Sequence, residues 1–284
     1  MKPTAIVLVS CPDAKGINAA IADFIFRHNG NIVHADEHQD AEEKLFLMRV
    51  EWELEGFAIA AGDFEHEFAP LAERFRMQWR MALSATKPRV AIFVSQHDHC
   101  LVDLLYRHRT GELPCEIPLI VSNHADAQRD AEFHGIPYHM IPVWPEDKTA
   151  AERTQLDLLR FERIDFVVLA RYMQILSPEF VREYPQRIIN IHHSFLPAFV
   201  GAKPHRQAFQ RGVKLIGATA HYVTETLDDG PIIEQDVARI SHRDAVDDLA
   251  QKGRDLEKIV LSRAVRWHLE NRILVYGKKT VIFD

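Results

Sequence analysis

Three runs of strand length in the second half of the chain are apolar almost without interruption: residues 89–95 (RVAIFVS), 117–122 (IPLIVS) and 165–170 (DFVVLA). A strand that alternates apolar and polar residues has one wet face, whereas a continuous apolar run needs cover on both. Between these runs lie stretches of helical periodicity, residues 101–109, 125–134 and 149–162. Strands covered on both faces and alternating with helices specify an α/β fold, a doubly wound, mostly parallel Rossmann-like sheet. Ligands of such sheets bind beyond the carboxyl ends of the strands. A further amphipathic stretch, residues 244–271, is expected to form a long helix packed across the sheet.

Residues 4–83 follow another rhythm. Residues 4–10 are rich in β-formers and run into the turn CPDAKG. Ile17, Ile21, Phe24 and Ile25 then recur at helical spacing in a segment stopped by Gly30. Residues 31–39 and 45–53 read as a strand pair around a polar turn, residues 57–81 carry a second helical pattern, and a short strand over 79–83 completes a ferredoxin-like βαββαβ unit. The small, polar stretch SATKP at residues 84–88 is the expected linker, giving two domains, 1–85 and 86–284. Two domains suit a chain of 284 residues.

Charge and cysteine usage narrow the function. Thirty-four Lys and Arg against forty-one Asp and Glu leave a formal charge of −7, the wrong sign for a chain whose main partner is nucleic acid. Cys11, Cys100 and Cys115 are too scattered for a disulfide framework or a cysteine-based zinc site, which suits the cytoplasm. Ser10-Cys11 mimics a lipoprotein cleavage box, but the apolar run before it, residues 5–9, is shorter than the roughly 7 to 15 residues of a signal core. No run approaches the roughly 18 apolar residues of a membrane span, so no membrane partner is expected. G-x-G-x-x-G after a strand, G-x-x-x-x-G-K and G-x-S-x-G are all missing, which removes the usual support for dinucleotides, P-loop phosphates and a hydrolase elbow.

The chemistry concentrates in residues 188–235. An expected buried strand over 187–191 delivers NIHHSFLP. Alternation along a strand puts Asn190 and His192 on one side, an amide donor beside a proton-transfer group. A second strand, 217–223, leads into the polar loop TETLDDGP, which can carry a carboxylate back over the first.

NIHHSFLP followed by GATAHYVTETLDDGPII closely resembles the signature of the folate-dependent formyltransferase family, and ARYMQILS at residues 170–177 looks like that family's folate-binding strand end and loop. The resemblance spans residues 89–284. It implies a catalytic set of Asn190, His192 and Asp228, with Asp228 preferred over Asp229 because it lies seven residues after His221. It also implies a folate-binding set of Arg171, Met173, Gln174, Ile175, Leu176, His221, Val223 and Glu225.

Members that formylate glycinamide ribonucleotide carry a small-residue loop after the first strand, where backbone N–H groups meet the phosphate. Here that loop is Ser95-Gln96-His97-Asp98-His99-Cys100, bulky and acidic. The expected acceptor is therefore water. The implied reaction is hydrolysis of 10-formyltetrahydrofolate to tetrahydrofolate and formate, within one-carbon and purine metabolism, with folate as substrate and no permanently bound cofactor. A transferase acting on initiator tRNA would want a basic surface, and a noncatalytic folate or amino-acid sensor would not keep Asn, His and Asp together.

The βαββαβ order with the loop DAKG resembles an ACT domain, a regulatory module that commonly binds amino acids. This implies an amino-acid effector near Asp13 and Gly16 and a homo-oligomer, a dimer or tetramer; a packing domain with no ligand is the plainer alternative. Ser194 beside His193 lacks an elbow and an oriented base, so packing or a backbone hydrogen bond is expected of it. His97 and His99 lack a third ligand at suitable spacing, so no metal is expected.

Overall fold

A computed structural model describes residues 2–197 and 204–284. The chain divides into two compact units. The first comprises Met1–Lys87 with Glu270–Tyr276 and Thr280–Asp284; the second comprises Pro88–Leu269 with Gly277–Lys279.

In the first unit β1 (Thr4–Pro12), α1 (Ile17–Arg27), β2 (Asn31–Asp40), β3 (Leu45–Glu53), α2 (Phe64–Phe75) and β4 (Gln78–Leu83) follow one another. The four strands form one sheet in the order β2-β3-β1-β4, with antiparallel pairing throughout. This is the ferredoxin-like arrangement. Ile17, Ile21 and Ile25 of α1 and Phe64, Phe68 and Ala72 of α2 are buried with Val7, Val9, Val50 and Trp52 in one cluster. The second helix is shorter than its apolar pattern suggests. Gly56, at φ 79°, breaks the chain ahead of it, and Arg76, at φ 55°, ends it in the left-handed conformation with its N–H on the carbonyls of Ala72 and Glu73.

The first sheet is apolar on both faces, and this decides where the end of the chain goes. Leu8 and Leu47 alternate with the residues facing the helices. They are covered by Phe283, with Leu274, Tyr276 and Val281 packed around it. These residues belong to or adjoin β12 (Ile273–Tyr276) and β13 (Lys279–Ile282). Arg49 is buried on this face, where it donates to the Asn271 carbonyl at 3.1 Å and pairs with Glu51 at 2.8 Å. Whereas the linker argument assigns all of 86–284 to one domain, most of the last strand pair clusters with the first unit.

The second unit contains β5 (Arg89–Val94), α3 (His99–Arg109), β6 (Glu116–Ser122), α4 (Gln128–Phe133), β7 (Tyr138–Met140), α5 (Lys148–Phe161), β8 (Phe166–Ala170), α6 (Pro178–Glu183) and β9 (Ile188–His192). It continues through α7 (Pro204–Arg211), β10 (Leu215–Tyr222), β11 (Ile232–Arg239) and α8 (Val246–Leu269). Its sheet runs β11-β10-β9-β8-β5-β6-β7. Strands β7 through β9 in that order are parallel, and β10 turns antiparallel against β9 and β11. The direction of winding reverses at β5, the switch point at which such sheets open a crevice. The continuous apolar runs are buried as the pattern requires: every residue of β8 is buried, and so are Val90 to Val94. The long helix α8 packs against β9, β10 and β11.

Phe68 is fully buried, stacked on Phe64 at 5.3 Å and edge-on to Phe24 at 5.3 Å. Phe68→Ala is expected to destabilise the first unit by about 3–5 kcal/mol, measured as a lowered urea midpoint of the transition reported by Trp52 and Trp79 fluorescence.

Candidate active site

Every residue that the resemblance implies for catalysis and folate binding lines one cavity of about 550 Å³, a volume suited to a small-molecule ligand. The cavity lies at the carboxyl ends of β5, β8 and β9 and is closed by the segment following β10.

Its polar floor is built by cross-strand register. His221 on β10 stands opposite Asn190 on β9, so Asn190 Nδ2 and His221 Nε2 come within 3.2 Å. His221 Nδ1 lies 2.9 Å from the Tyr222 carbonyl, which can only accept. Nδ1 therefore carries a proton, and Nε2 faces both the Asn190 amide and the segment that follows β10.

After β10 the chain folds back and places Asp228 between the two imidazoles. Its Oδ2 is 3.3 Å from His192 Nδ1, and its Oδ1 is 3.7 Å from His221 Nε2. Hydrogen bonding from His192 and then from His221 outweighs burial and holds the Asp228 carboxyl well below the usual carboxylate range. His192 is 6% exposed, and its Nε2 is buried without a hydrogen-bond partner among the described residues. An unpartnered ring nitrogen on a residue that lines the cavity is the natural contact for a molecule bound there. Asp229, the neighbour passed over, instead reaches Lys278 at 2.5 Å.

Two features of the backbone make this return possible. Asp228 sits at φ 55°, a left-handed conformation that Asp tolerates better than most residues. Gly230 lies so close to β10 that an added Cβ would come 1.7 Å from the Tyr222 carbonyl oxygen, while the Tyr222 N–H is tied to the Pro231 carbonyl at 2.9 Å. Neither partner can retreat. Gly230→Ala is expected to displace Asp228 and to cost more activity than stability, checked by comparing turnover with the melting temperature.

The apolar wall comes from the segment after β8. The Met173 N–H donates to Ser95 Oγ at 3.0 Å, Gln155 donates to the Tyr172 hydroxyl at 2.9 Å, and the Ser177 N–H donates to Glu152 at 2.9 Å. These ties hold the segment open, leaving Met173 and Ile175 more than half exposed while they line the cavity. Exposed apolar side chains on a fixed scaffold are a wall for a flat apolar ligand. Glu225 lines the rim, with its carboxylate paired to Arg182 at 3.0 Å.

The sequence reading missed His193, Thr224, Thr226 and Leu227, which also line the cavity. His97 does so as well, although it was singled out only as an obstacle to phosphate and a metal candidate. Strand alternation could not reveal them, because each lies beyond a strand end. Ser194 is buried outside the lining, its carbonyl accepting from Thr219 Oγ1 at 2.8 Å, which fits the expected packing role. Leu196-Pro197 is a cis peptide bond.

His99, Cys100 and Glu257 bring ligand atoms within 4.8 Å of one another. A cation already serves that carboxylate: Arg171 Nε lies 3.4 Å from Glu257. Burial, and then the Glu257 charge, pushes the Cys100 thiol well up, away from the thiolate that a metal would need.

In the first unit Asp13 and Gly16 line a separate, polar cavity of about 420 Å³ with Glu37, His38 and Gln39. Gly16 is left-handed at φ 91°, the conformation that turns β1 into α1.

A family model described as Formyl transferase matches residues 88–265. A formyltetrahydrofolate deformylase from Synechocystis sp. is 56% identical over 280 residues, spanning 99% of this chain and 98% of that protein. The chain belongs to the formyltetrahydrofolate deformylase family. A crystal structure of a member from Pseudomonas syringae pv. tomato superposes with a TM-score of 0.98 at 50% identity, covering 100% of this chain and 95% of that one. A glycinamide ribonucleotide transformylase from Symbiobacterium toebii matches at a TM-score of 0.66 and 30% identity, covering 70% of this chain and 95% of that one. The deformylases thus match the whole length, and the transformylase matches only part of it. No helix among the described residues is long and apolar enough to cross a membrane.

The Asp228 carboxylate also links the site to pH. Its folded-state pKa lies below the unfolded value of about 3.9, so its ionisation contributes stability that is complete above that value and fades as pH falls through and below it. The stability difference between the unaltered protein and Asp228→Asn is expected to shrink between pH 5 and pH 3, measured by thermal unfolding. A flat or widening difference would contradict the assignment.

Proposed function

We propose that the chain hydrolyses 10-formyltetrahydrofolate to tetrahydrofolate and formate. The observation that carries this reading is the Asp228 carboxylate set between His192 and His221, beside Asn190, on the floor of an apolar-walled cavity. The pterin rests against the apolar wall formed by Met173, Ile175 and Leu176, and the formyl group lies between Asn190 and His192. Water held beside Asp228 attacks the formyl carbon as its proton passes to His192 Nε2, which becomes the imidazolium. The Asn190 amide, oriented by His221, and protonated His192 donate to the tetrahedral oxyanion. Collapse breaks the bond to folate nitrogen ten, which takes a proton through His192, and formate leaves. Asp228 steadies the imidazolium, as a carboxylate does beside histidine in other acyl-transfer sites.

Water as acceptor is supported at the amino end of α3. Asp98 occupies the position before the first helical residue, His99, where an incoming phosphate would otherwise be drawn to the helix dipole. No formylation of glycinamide ribonucleotide is expected. In the first unit we assign the cavity at Asp13 and Gly16 to an amino-acid effector in an ACT-like module, and we assign the active form to a homo-oligomer. Cys11, Cys100 and Cys115 are all buried and none is in a disulfide, which supports the cytoplasm.

Formate release from 10-formyltetrahydrofolate tests the reading directly. Asp228→Asn is expected to lower turnover about a hundredfold to ten-thousandfold with folate affinity nearly intact, and Asp229→Asn far less. Combining Asp228→Asn with His192→Ala should be little worse than the worse single variant, because the groups act as a unit. Turnover that survives Asp228→Asn, or formylated ribonucleotide appearing as fast as formate, would overturn the mechanism.

A further inference from the structure

An arginine stands where the backbone favours glycine. Arg171, the residue after β8, has φ 63°, in the left-handed region that non-glycine residues seldom occupy. A strained position keeps a large side chain only where that side chain has work to do or the surroundings force it. Here the surroundings are specific. The Arg171 side chain is 10% exposed, and its Nε lies 3.4 Å from Glu257 of α8, itself 2% exposed. Glu257 is fixed in turn by His99 of α3, whose Nε2 lies 2.8 Å from the carboxylate. Burial alone would raise the Glu257 pKa, but the His99 hydrogen bond and the charge of Arg171 bring it below its ordinary value, so the carboxylate stays ionised against the guanidinium. Three elements therefore converge to hold one cation.

That cation lines the same cavity as Asn190, His192 and Asp228. Its Nη1 and Nε are buried without a hydrogen-bond partner among the described residues, so the Glu257 contact is an ion pair and not a hydrogen bond. His97 lines the cavity too, and burial, then the charges of Arg171 and His99, lower its pKa toward the neutral ring. The cavity wall thus carries a permanent positive charge beside an imidazole held toward its neutral form.

We propose that Arg171, positioned by Glu257 and His99, determines the acceptor: it closes this side of the cavity to amines and leaves a seat for water. An amine reaches a protein mainly as its ammonium form, which a fixed guanidinium repels in a site of low dielectric. It must also lose a proton before it can attack. Water carries no charge, so the guanidinium does not exclude it. The proposal rests on the hydrolase reading above and names what makes that site a hydrolase. Where the guanidinium is removed, an amine nitrogen can bond to the formyl carbon as the bond to folate nitrogen ten breaks, the proton lost by the amine passing to that nitrogen.

The test is a competition. The unaltered enzyme, Arg171→Gly and Arg171→Lys are each given 10-formyltetrahydrofolate and glycinamide, and formate and N-formylglycinamide are quantified together. Glycine suits φ 63° and opens the space, whereas lysine keeps the charge; circular dichroism and folate binding establish that each variant is folded. The ratio of formylated amine to formate is expected to rise at least tenfold in Arg171→Gly and less than threefold in Arg171→Lys. Glu257→Gln, which loosens the arginine, should shift the ratio the same way by a smaller factor. Formate release by Arg171→Gly at an unchanged ratio would overturn the proposal, as would an equal rise in the lysine variant. So would a folded, folate-binding Arg171→Gly that makes neither product, since Arg171 would then serve hydrolysis itself. Absence of formate from the unaltered enzyme overturns the hydrolase reading, a result separate from all of these.

Discussion

The Asp228 carboxylate, buried between two imidazoles, is the constraint around which the second unit is arranged. An ionised carboxylate removed from water is stable only where donors replace its hydration, and here His192 and His221 supply them. Their supply depends on further conditions. His221 must be opposite Asn190, which requires β10 to run antiparallel to β9 in this register. Asp228 must return from beyond β10, which requires a left-handed residue at Asp228 and bare backbone at Gly230. The parallel strands contribute rigidity and the strand ends contribute the side chains, so the loop does not have to define the site alone.

A second charge arrangement, Arg171 with Glu257 and His99, borders the same cavity. The two differ in kind. Around Asp228 the partners are imidazoles, side chains that can both take up and pass on a proton, as acid–base chemistry requires. At Arg171 the charge is permanent and acts by exclusion and orientation. The apolar side chains of Met173 and Ile175 line the same cavity. The first unit carries its own core and its own cavity, and no catalytic candidate falls in it.

Much of this was legible in the residues. The continuous apolar runs specified a buried parallel sheet because only cover on both faces makes such a strand stable, and β5, β6 and β8 lie where those runs lie. Strand alternation placed Asn190 and His192 on one side, and the resemblance to the formyltransferase signature implied Asp228 over Asp229. Less legible were β7, with only three residues, and β11, whose mixed pattern lacks a clear period. The helix expected over 57–81 shrank to Phe64–Phe75 because left-handed residues on either side override a favourable apolar spacing.

Sequence alone determined the layer architecture and the βαββαβ order of the first unit. Both follow from periodicities and residue types local to a few tens of positions, whereas the residues proposed for formyl chemistry came from the resemblance of two motifs to the formyltransferase signature. Tertiary structure decided what depends on contacts between distant positions. Leu8 and Leu47 needed cover for their sheet face, which drew the last strand pair to the first unit. Glu257, indistinguishable in the sequence from any acid on an amphipathic helix, became the counter-charge of Arg171 more than eighty positions earlier. No local pattern records such a pairing, because the free energy that fixes it arises only when burial removes both groups from water.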